Sequence, residues 1–279
     1  MGTTLVISPH LDDAVLSAGG SIAAWSAAGE RVVVATVFTD GPPLDAVPPS
    51  MRALANYEVR RAEDAHACAA VGAEVRWLGH VERAFRRPFL TTRACFTTAS
   101  DRAEFTALSA VTASLASLDA LAPDRILVPL GIGNHVDHVE VLLGATEWAF
   151  ARGWGDRLLF YEDFYALSTV MRRAHPVARL RGWPYWRSPL LRAPRLALIL
   201  GAIALSRRGP AVTALLPEIA RARWSAEPAA IDEPSKFSAI AVYRSQTAAF
   251  GGMAGVAASL RAYHAWWRGE PLWRAHERM

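Results

Sequence analysis

The chain has 279 residues, of which 52% are apolar and 20% charged, with a formal net charge of +4. That balance can bury a sizeable core and excludes a disordered chain or a repeat array, while two cysteines, Cys68 and Cys95, are too few for a disulfide framework or a cysteine metal site. Of the 30 basic residues only Lys236 is lysine, and the arginines are scattered rather than interleaved with aromatics, so no nucleic-acid partner is expected.

Thr4 to Ser8 reads as a short strand, followed by a loop at Pro9-His10 and a helix over Asp12 to Ala28 with helical apolar spacing. The start of the chain has neither a basic n-region nor a cleavable apolar segment, and a cytoplasmic location is the default expectation. Arg31 to Thr39 is a second, valine-rich strand closed by Asp40-Gly41-Pro42-Pro43. A helix from Tyr57 to Val71 stops at Gly72, and Glu74 to Leu78 supplies a third strand. Then come a helix over Glu104 to Leu121, a strand at Arg125 to Leu130, a helix at His138 to Arg152 and a strand at Arg157 to Tyr161.

Such alternation predicts an α/β fold with a Rossmann-like, doubly wound, mostly parallel sheet in the order 3-2-1-4-5. Residues 1–165 form this core, and 166–279, broken by prolines, are expected to be a helical C-terminal elaboration of the same domain. Its longest apolar run, Leu196 to Leu205, is about half of the ~20 residues that cross a bilayer. A buried helix is the expectation there, with membrane-surface contact through Arg192, Arg195, Arg207 and Arg208 as the lesser alternative.

Two clusters carry chemistry. His10-Leu11-Asp12-Asp13 follows the first strand and His135-Val136-Asp137-His138 the fourth. Strands one and four flank the reversal of strand order, where open α/β sheets bind ligands, so the clusters are expected to meet. His10, Asp13 and His138 form a two-imidazole, one-carboxylate set with a position left for water, which suits one Zn2+ per chain or another divalent transition metal. Asp12, beside a ligand but pointing elsewhere, is the expected general base for a water acidified by the metal. His135 is expected to be an imidazolium that stabilises the oxyanion and protonates the leaving amine, with Asp137 raising its pKa and fixing its orientation.

These residues resemble the PIG-L/LmbE-like N-acetylglucosamine deacetylases, whose signatures are a His-Pro-Asp-Asp type motif and a later His-x-Asp-His. The resemblance implies the same roles for His10, Asp12, Asp13, His135, Asp137 and His138. It also implies substrate contacts at Arg60, in Arg60-x-x-Glu63, and at Glu82, after Leu78-Gly79. Lys236, in Lys236-x-x-Ala239, resembles part of a family helix ending at Ser245-Gln246, on which Lys236, Tyr243 and Gln246 would share one face. Leu11 and Val136 stand where the family commonly has proline, Gly133 where some members carry a tyrosine near the leaving group, and Tyr243 where histidine is frequent. The wording around His10 and Tyr161-Glu162-Asp163-Phe164 is closer to glycopeptide-antibiotic and polysaccharide-associated members.

The implied activity is hydrolysis of an N-acetyl or other N-acyl group from an amino sugar in a glycoconjugate or natural product. Hydrolysis of another amide or an ester at the same site, and a non-catalytic sugar- or membrane-binding role, stand as alternatives. A dinucleotide site is disfavoured, because Gly19-Gly20 falls inside the first helix instead of in a strand-to-helix turn.

Overall fold

The computed structural model describes residues 2–87, 92–96, 101–182, 215–250 and 252–276. Five parallel strands, β1 (Thr3–Ser8), β2 (Arg31–Asp40), β3 (Glu74–Val81), β4 (Arg125–Pro129) and β5 (Leu158–Tyr161), lie in the order β3-β2-β1-β4-β5. Beyond β5 the sheet continues through two antiparallel strands, β7 (Glu270–His276) and then β6 (Arg223–Ala229). The residues from Val32 to Thr39 in β2 are all buried, an unbroken run that a strand needs only when both sheet faces are covered. β3, at the edge, buries none of its residues fully.

The covering helices are α1 (Asp13–Ala27), α2 (Tyr57–Ala70), α3 (Leu108–Leu115), α4 (Val136–Ala151), α5 (Glu233–Ile240) and α6 (Gly252–Trp267). α1 packs with α2 and α5, whereas α3 packs with α4. Buried residues run without a break from Asp13 to Ala23 in α1, so this helix is enclosed all round rather than lying on the surface. No helix among the described residues is long and apolar enough to cross a membrane. The run from Leu196 to Leu205 and its flanking arginines lie outside the described residues.

The 3-2-1-4-5 order is present as expected, but the later region is not only helical. β6 carries Pro228 and alternates exposed with half-buried residues, a pattern permitted because it lies at the sheet edge. β7 opens with Glu270-Pro271, which disguises it as a turn, yet its first four residues are buried. The helix expected over Glu104 to Leu121 is shorter too: α3 gives way to a 3-10 segment at Ala116–Leu121.

β7 closes the fold through a charge. Glu270 accepts the backbone N–H groups of Gly20 (3.1 Å) and Ser21 (2.7 Å) in the middle of α1, and Lys236 Nζ donates to its Oε1 at 2.6 Å. Gly20 permits this approach: a Cβ there would stand 2.8 Å from Ile231 Cβ and 3.1 Å from Glu270 Oε1. Lys236 also donates to Ser17 O at 3.4 Å, and both charged side chains are fully enclosed. Burial alone would raise the Glu270 carboxyl, but Lys236, His264 and the Ser21 N–H together hold it below the ordinary glutamate range.

We predict that Glu270→Ala costs about 3–5 kcal/mol, because it strands a buried ammonium. Because the folded pKa of Glu270 is depressed, its contribution is complete above the unfolded carboxyl pKa of about 4.3 and is lost as the pH falls through the lower folded value. Urea denaturation at pH 7 and below pH 4 measures both. A loss under 1 kcal/mol at pH 7 would contradict this account.

Candidate metal and active site

β1 and β4 are neighbours, pairing Thr4 with Arg125 and Val6 with Leu127, so the loops that leave them open at the same end of the sheet. After β1 the chain turns tightly. Ser8 Oγ donates to His10 O (2.8 Å) and accepts the Ala14 N–H (3.1 Å), while His10 O also accepts the Asp12 N–H (2.9 Å). After β4 the turn passes through three left-handed residues, Gly131, Gly133 and Asn134. A Cβ on Gly133 would lie 3.2 Å from Tyr165, so this glycine is required for space as well as for backbone. His135 caps α4, its Nδ1 accepting the Asp137 N–H at 3.3 Å.

The two clusters meet. Asp13 Oδ2 lies 3.1 Å from His10 Nδ1 and 3.2 Å from His138 Nε2. Ligands about 2.0–2.1 Å from one tetrahedral ion stand roughly 3.3 Å apart, so these three atoms have the spacing of a ligand set. The opposite nitrogens are held by carboxylates: His10 Nε2 faces Asp137 Oδ2 (3.1 Å), and His138 Nδ1 faces Asp163 Oδ1 (2.6 Å). Asp163 Oδ2 is fixed in turn by the Ile132 N–H at 2.8 Å. Carboxylates on the far nitrogens leave a lone pair on each near nitrogen, the arrangement metal-binding histidines adopt.

Among the described residues His138 Nε2 is buried with no hydrogen-bond partner, because Asp13 lies near it but outside hydrogen-bonding direction. An orphaned nitrogen beside a carboxylate and a second imidazole fits a cation between them. His10, His135 and His138 also place ligand atoms within 4.8 Å of one another. We favour Asp13 over His135 as the third ligand, since Asp13 Oδ2 approaches both other donors more closely and His135 Nδ1 is engaged as a helix cap.

The electrostatics follow from burial and pairing. Burial lowers the His10 and His138 imidazoles, but the surrounding carboxylates more than reverse this, leaving His10 well above its ordinary value and His138 at about 9. Burial, then the charge of Asp13, raises Asp12 to about 7. His135 differs from expectation. Burial takes it down to about 3 against the pull of Asp137, so it is a neutral imidazole and not an imidazolium. Its Nδ1 is an acceptor here, which puts its proton on Nε2. Asp137 does not chiefly serve His135 either: their closest atoms are 4.0 Å apart, while its carboxylate accepts from His10, the Arg83 N–H and Arg86.

A cavity of about 270 Å³ opens over this cluster, lined by His10, Asp12, Asp13 and His135 on the polar side. Arg60 and Glu82 line it together as an ion pair, with Arg60 Nη1 donating to Glu82 Oε1 (2.5 Å) and to Leu54 O (3.0 Å). Phe96, Tyr165, Gln246 and Phe250 form part of the remaining wall. Lys236 is not brought to the cavity; it is committed to Glu270 at the middle of α1. The single helix expected to carry Lys236, Tyr243 and Gln246 is broken into α5 and a turn at Arg244–Thr247. Tyr243 is buried against Asp64, and only Gln246 reaches the cavity.

Asp163 and Tyr165 escaped assignment from the sequence. The signal for Asp163 was available, since a carboxylate directly after β5 stands at the same sheet end as the other two clusters. Tyr165 carried none, because its half-buried ring reaches the site through the space that Gly133 leaves.

An open α/β sheet with imidazoles and carboxylates converging at its switch point defines a protein with a ligand crevice beside a candidate cation site. The PIG-L: GlcNAc-PI de-N-acetylase family model matches residues 5–149, more than half of the chain, and the chain belongs to that family. It is 34% identical over 166 residues, 58% of its length, to the 2'-N-acetylparomamine deacetylase of Streptomyces fradiae, and it spans 57% of that relative. Its fold is similar to that of the A40926 pseudoaglycone deacetylase, with a TM-score of 0.64 at 23% identity over 98% of this chain and 96% of that one. It is also similar to the zinc-inhibited form of teicoplanin deacetylase, with a TM-score of 0.66 at 20% identity over 98% and 97%.

We expect elemental analysis of the zinc-reconstituted protein to find one ion per chain, lost in His10→Ala and His138→Ala. Asp163→Asn should retain the ion with affinity lower by about 10–100-fold, the usual effect of removing a carboxylate behind a histidine ligand. Full occupancy in both alanine variants would remove the site.

Proposed function

We propose that this chain hydrolyses an N-acetyl or other N-acyl group from an amino sugar in a small molecule or glycoconjugate, releasing the free amine and a carboxylate. The observation that carries this reading is the convergence of His10, Asp13 and His138 beside Asp12 at the floor of the cavity. Membership of a de-N-acetylase family and the deacetylase relatives support the substrate class. His10, Asp13 and His138 would hold one divalent ion, and zinc is our choice for a donor set of nitrogen and oxygen. Such an ion supplies Lewis acidity, polarising an amide carbonyl and acidifying water.

The chain's own residues perform the remaining work. Asp12 is buried beside a ligand yet lines the cavity, placing a carboxylate where it takes the proton of the attacking water and returns it to the departing amine. His135, neutral with its proton on Nε2, donates a hydrogen bond to the carbonyl oxygen as charge develops there. Asp137 and Asp163 orient His10 and His138. Arg60 and Glu82, rigid because each holds the other, bind sugar hydroxyls on the cavity wall.

An amine-release assay on a panel of N-acetylated amino sugars tests this. Activity should appear in the parent at one equivalent of zinc and vanish with chelator. Asp12→Asn should lower kcat by about 10²–10⁴-fold while the metal stays bound. Amine release that survives chelation and the His138→Ala substitution would sink the proposal. Excess zinc belongs in the same assay, given the zinc-inhibited form of a fold relative.

A further inference from the structure

Behind the ligand set runs a chain of charged contacts that the proposed reaction does not use. Arg86 Nη2 donates to Asp137 Oδ1 at 2.9 Å and to Glu140 Oε2 at 2.8 Å. The two carboxylates are wholly buried and Arg86 is 16% exposed. Glu140 Oε1 accepts the Ala107 N–H at 2.6 Å, and the Arg86 guanidinium lies 5.4 Å from the centre of the Phe38 ring. The bridge is therefore held to α4 through both carboxylates and to the chain ahead of α3 through the Ala107 N–H and through Thr106 Oγ1, which accepts Arg86 Nη1 at 3.3 Å.

Asp137 is the junction. Both of its oxygens accept the Arg83 N–H, at 3.1 and 3.0 Å, Oδ1 also takes Arg86, and Oδ2 faces His10 Nε2. A carboxylate free to rotate would present either oxygen to His10 at any tilt. Held on Oδ1 by Arg86, it presents Oδ2 in one direction, which sets the plane of the His10 ring and the direction of its Nδ1 lone pair. The segment that supplies Arg83 and Arg86 also carries Glu82, Ala84 and Phe85 of the cavity wall.

We propose that Arg86 is a positioning residue for the metal site, bridging Asp137 to Glu140 so that His10 Nδ1 is aimed at the ion while the 82–86 segment is pinned against α4. This rests on the assignment of His10 as a metal ligand made above. Arg86 touches neither the ion nor the substrate; it acts through Asp137. Because a single nitrogen serves both carboxylates, an ammonium in the same place substitutes for it, whereas an apolar side chain of similar length does not.

The test is zinc affinity, measured by competition with a chromophoric chelator, with thermal unfolding of the metal-free proteins alongside. Arg86→Met should weaken zinc binding about 10–100-fold, and Arg86→Lys should restore it to within about threefold of the parent. If Arg86→Met does not fold, Glu140→Gln takes its place, with an expected loss of about 3–10-fold, since it slackens the far end of the bridge without touching Asp137. A folded Arg86→Met, or Glu140→Gln in its absence, that binds zinc like the parent overturns the inference, as does a parent that binds no zinc. That last outcome strikes the functional reading as well. A parent that binds zinc yet releases no amine strikes the functional reading alone.

Discussion

The structure depends on keeping two imidazole lone pairs and one carboxylate oxygen aimed at a single point inside a protein. Left to themselves, buried imidazoles rotate and take either tautomer, and a buried carboxylate seeks a proton. Here Asp137 and Asp163 occupy the far nitrogens of His10 and His138, so each ring has one tautomer and one orientation. The consequence is an excess of negative charge. Asp12, Asp13, Asp137 and Asp163 are each less than a tenth exposed, and the third imidazole of the group, His135, is neutral. Protons on His10 and His138, whose pKa values both stand above the ordinary imidazole value, offset part of that charge, and a divalent cation at the middle would offset it in their place.

That constraint reaches into the scaffold. Asp12 and Asp13 sit at the first turn of α1, and any tilt of this enclosed helix moves them relative to His138 on α4. α1 is fixed along its length by Glu270 of β7, which takes two backbone N–H groups from its middle, and Lys236 of α5 neutralises that carboxylate. Buried ion pairs contribute little net stability when compared with apolar packing, but they define geometry, because each donor has few satisfactory positions. The last strand in the chain therefore participates in holding the Asp12–Asp13 cluster, although 257 positions separate Glu270 from Asp13 (270 − 13).

The parallel core was legible because its strands and helices repeat in the chain with unmixed signals: Arg31 to Thr39 is apolar and β-branched, and Asp12 to Ala28 keeps helical spacing. The meeting of the His10 and His135 clusters was legible for a topological reason, since strands one and four must be neighbours if the order reverses there. What the sequence concealed was tertiary. β6 carries Pro228, which a sheet edge tolerates, β7 opens with Glu270-Pro271, which reads as a turn, and Lys236 looks like a free charge until its acid, Glu270, is brought from a distant strand. The role of Asp137 was misread for a related reason: His135 is its neighbour in sequence, but the helix turns that side chain away toward His10, whose approach depends on the pairing of β1 with β4.

The same geometry separates chemistry from selectivity. The proposed ligands and their carboxylate partners lie on or beside β1, β4, β5 and α4 and at the start of α1, whereas the cavity wall comes largely from segments after β2, β3 and β5 and from the residues near Gln246. Arg60, fixed by Glu82, the Leu54 carbonyl and the face of Tyr57 some 5.1 Å away, is preformed, so a sugar bound as proposed would meet it without ordering a flexible side chain. Under the proposed reading, changes in the wall segments would alter which amino sugar or acyl group fits without disturbing the ligands, with one exception. The 82–86 segment is fastened to Asp137, so substitutions there reach the ring of His10, and variation in substrate preference on this scaffold is least constrained where the wall is built from residues 41–56 and 246–250.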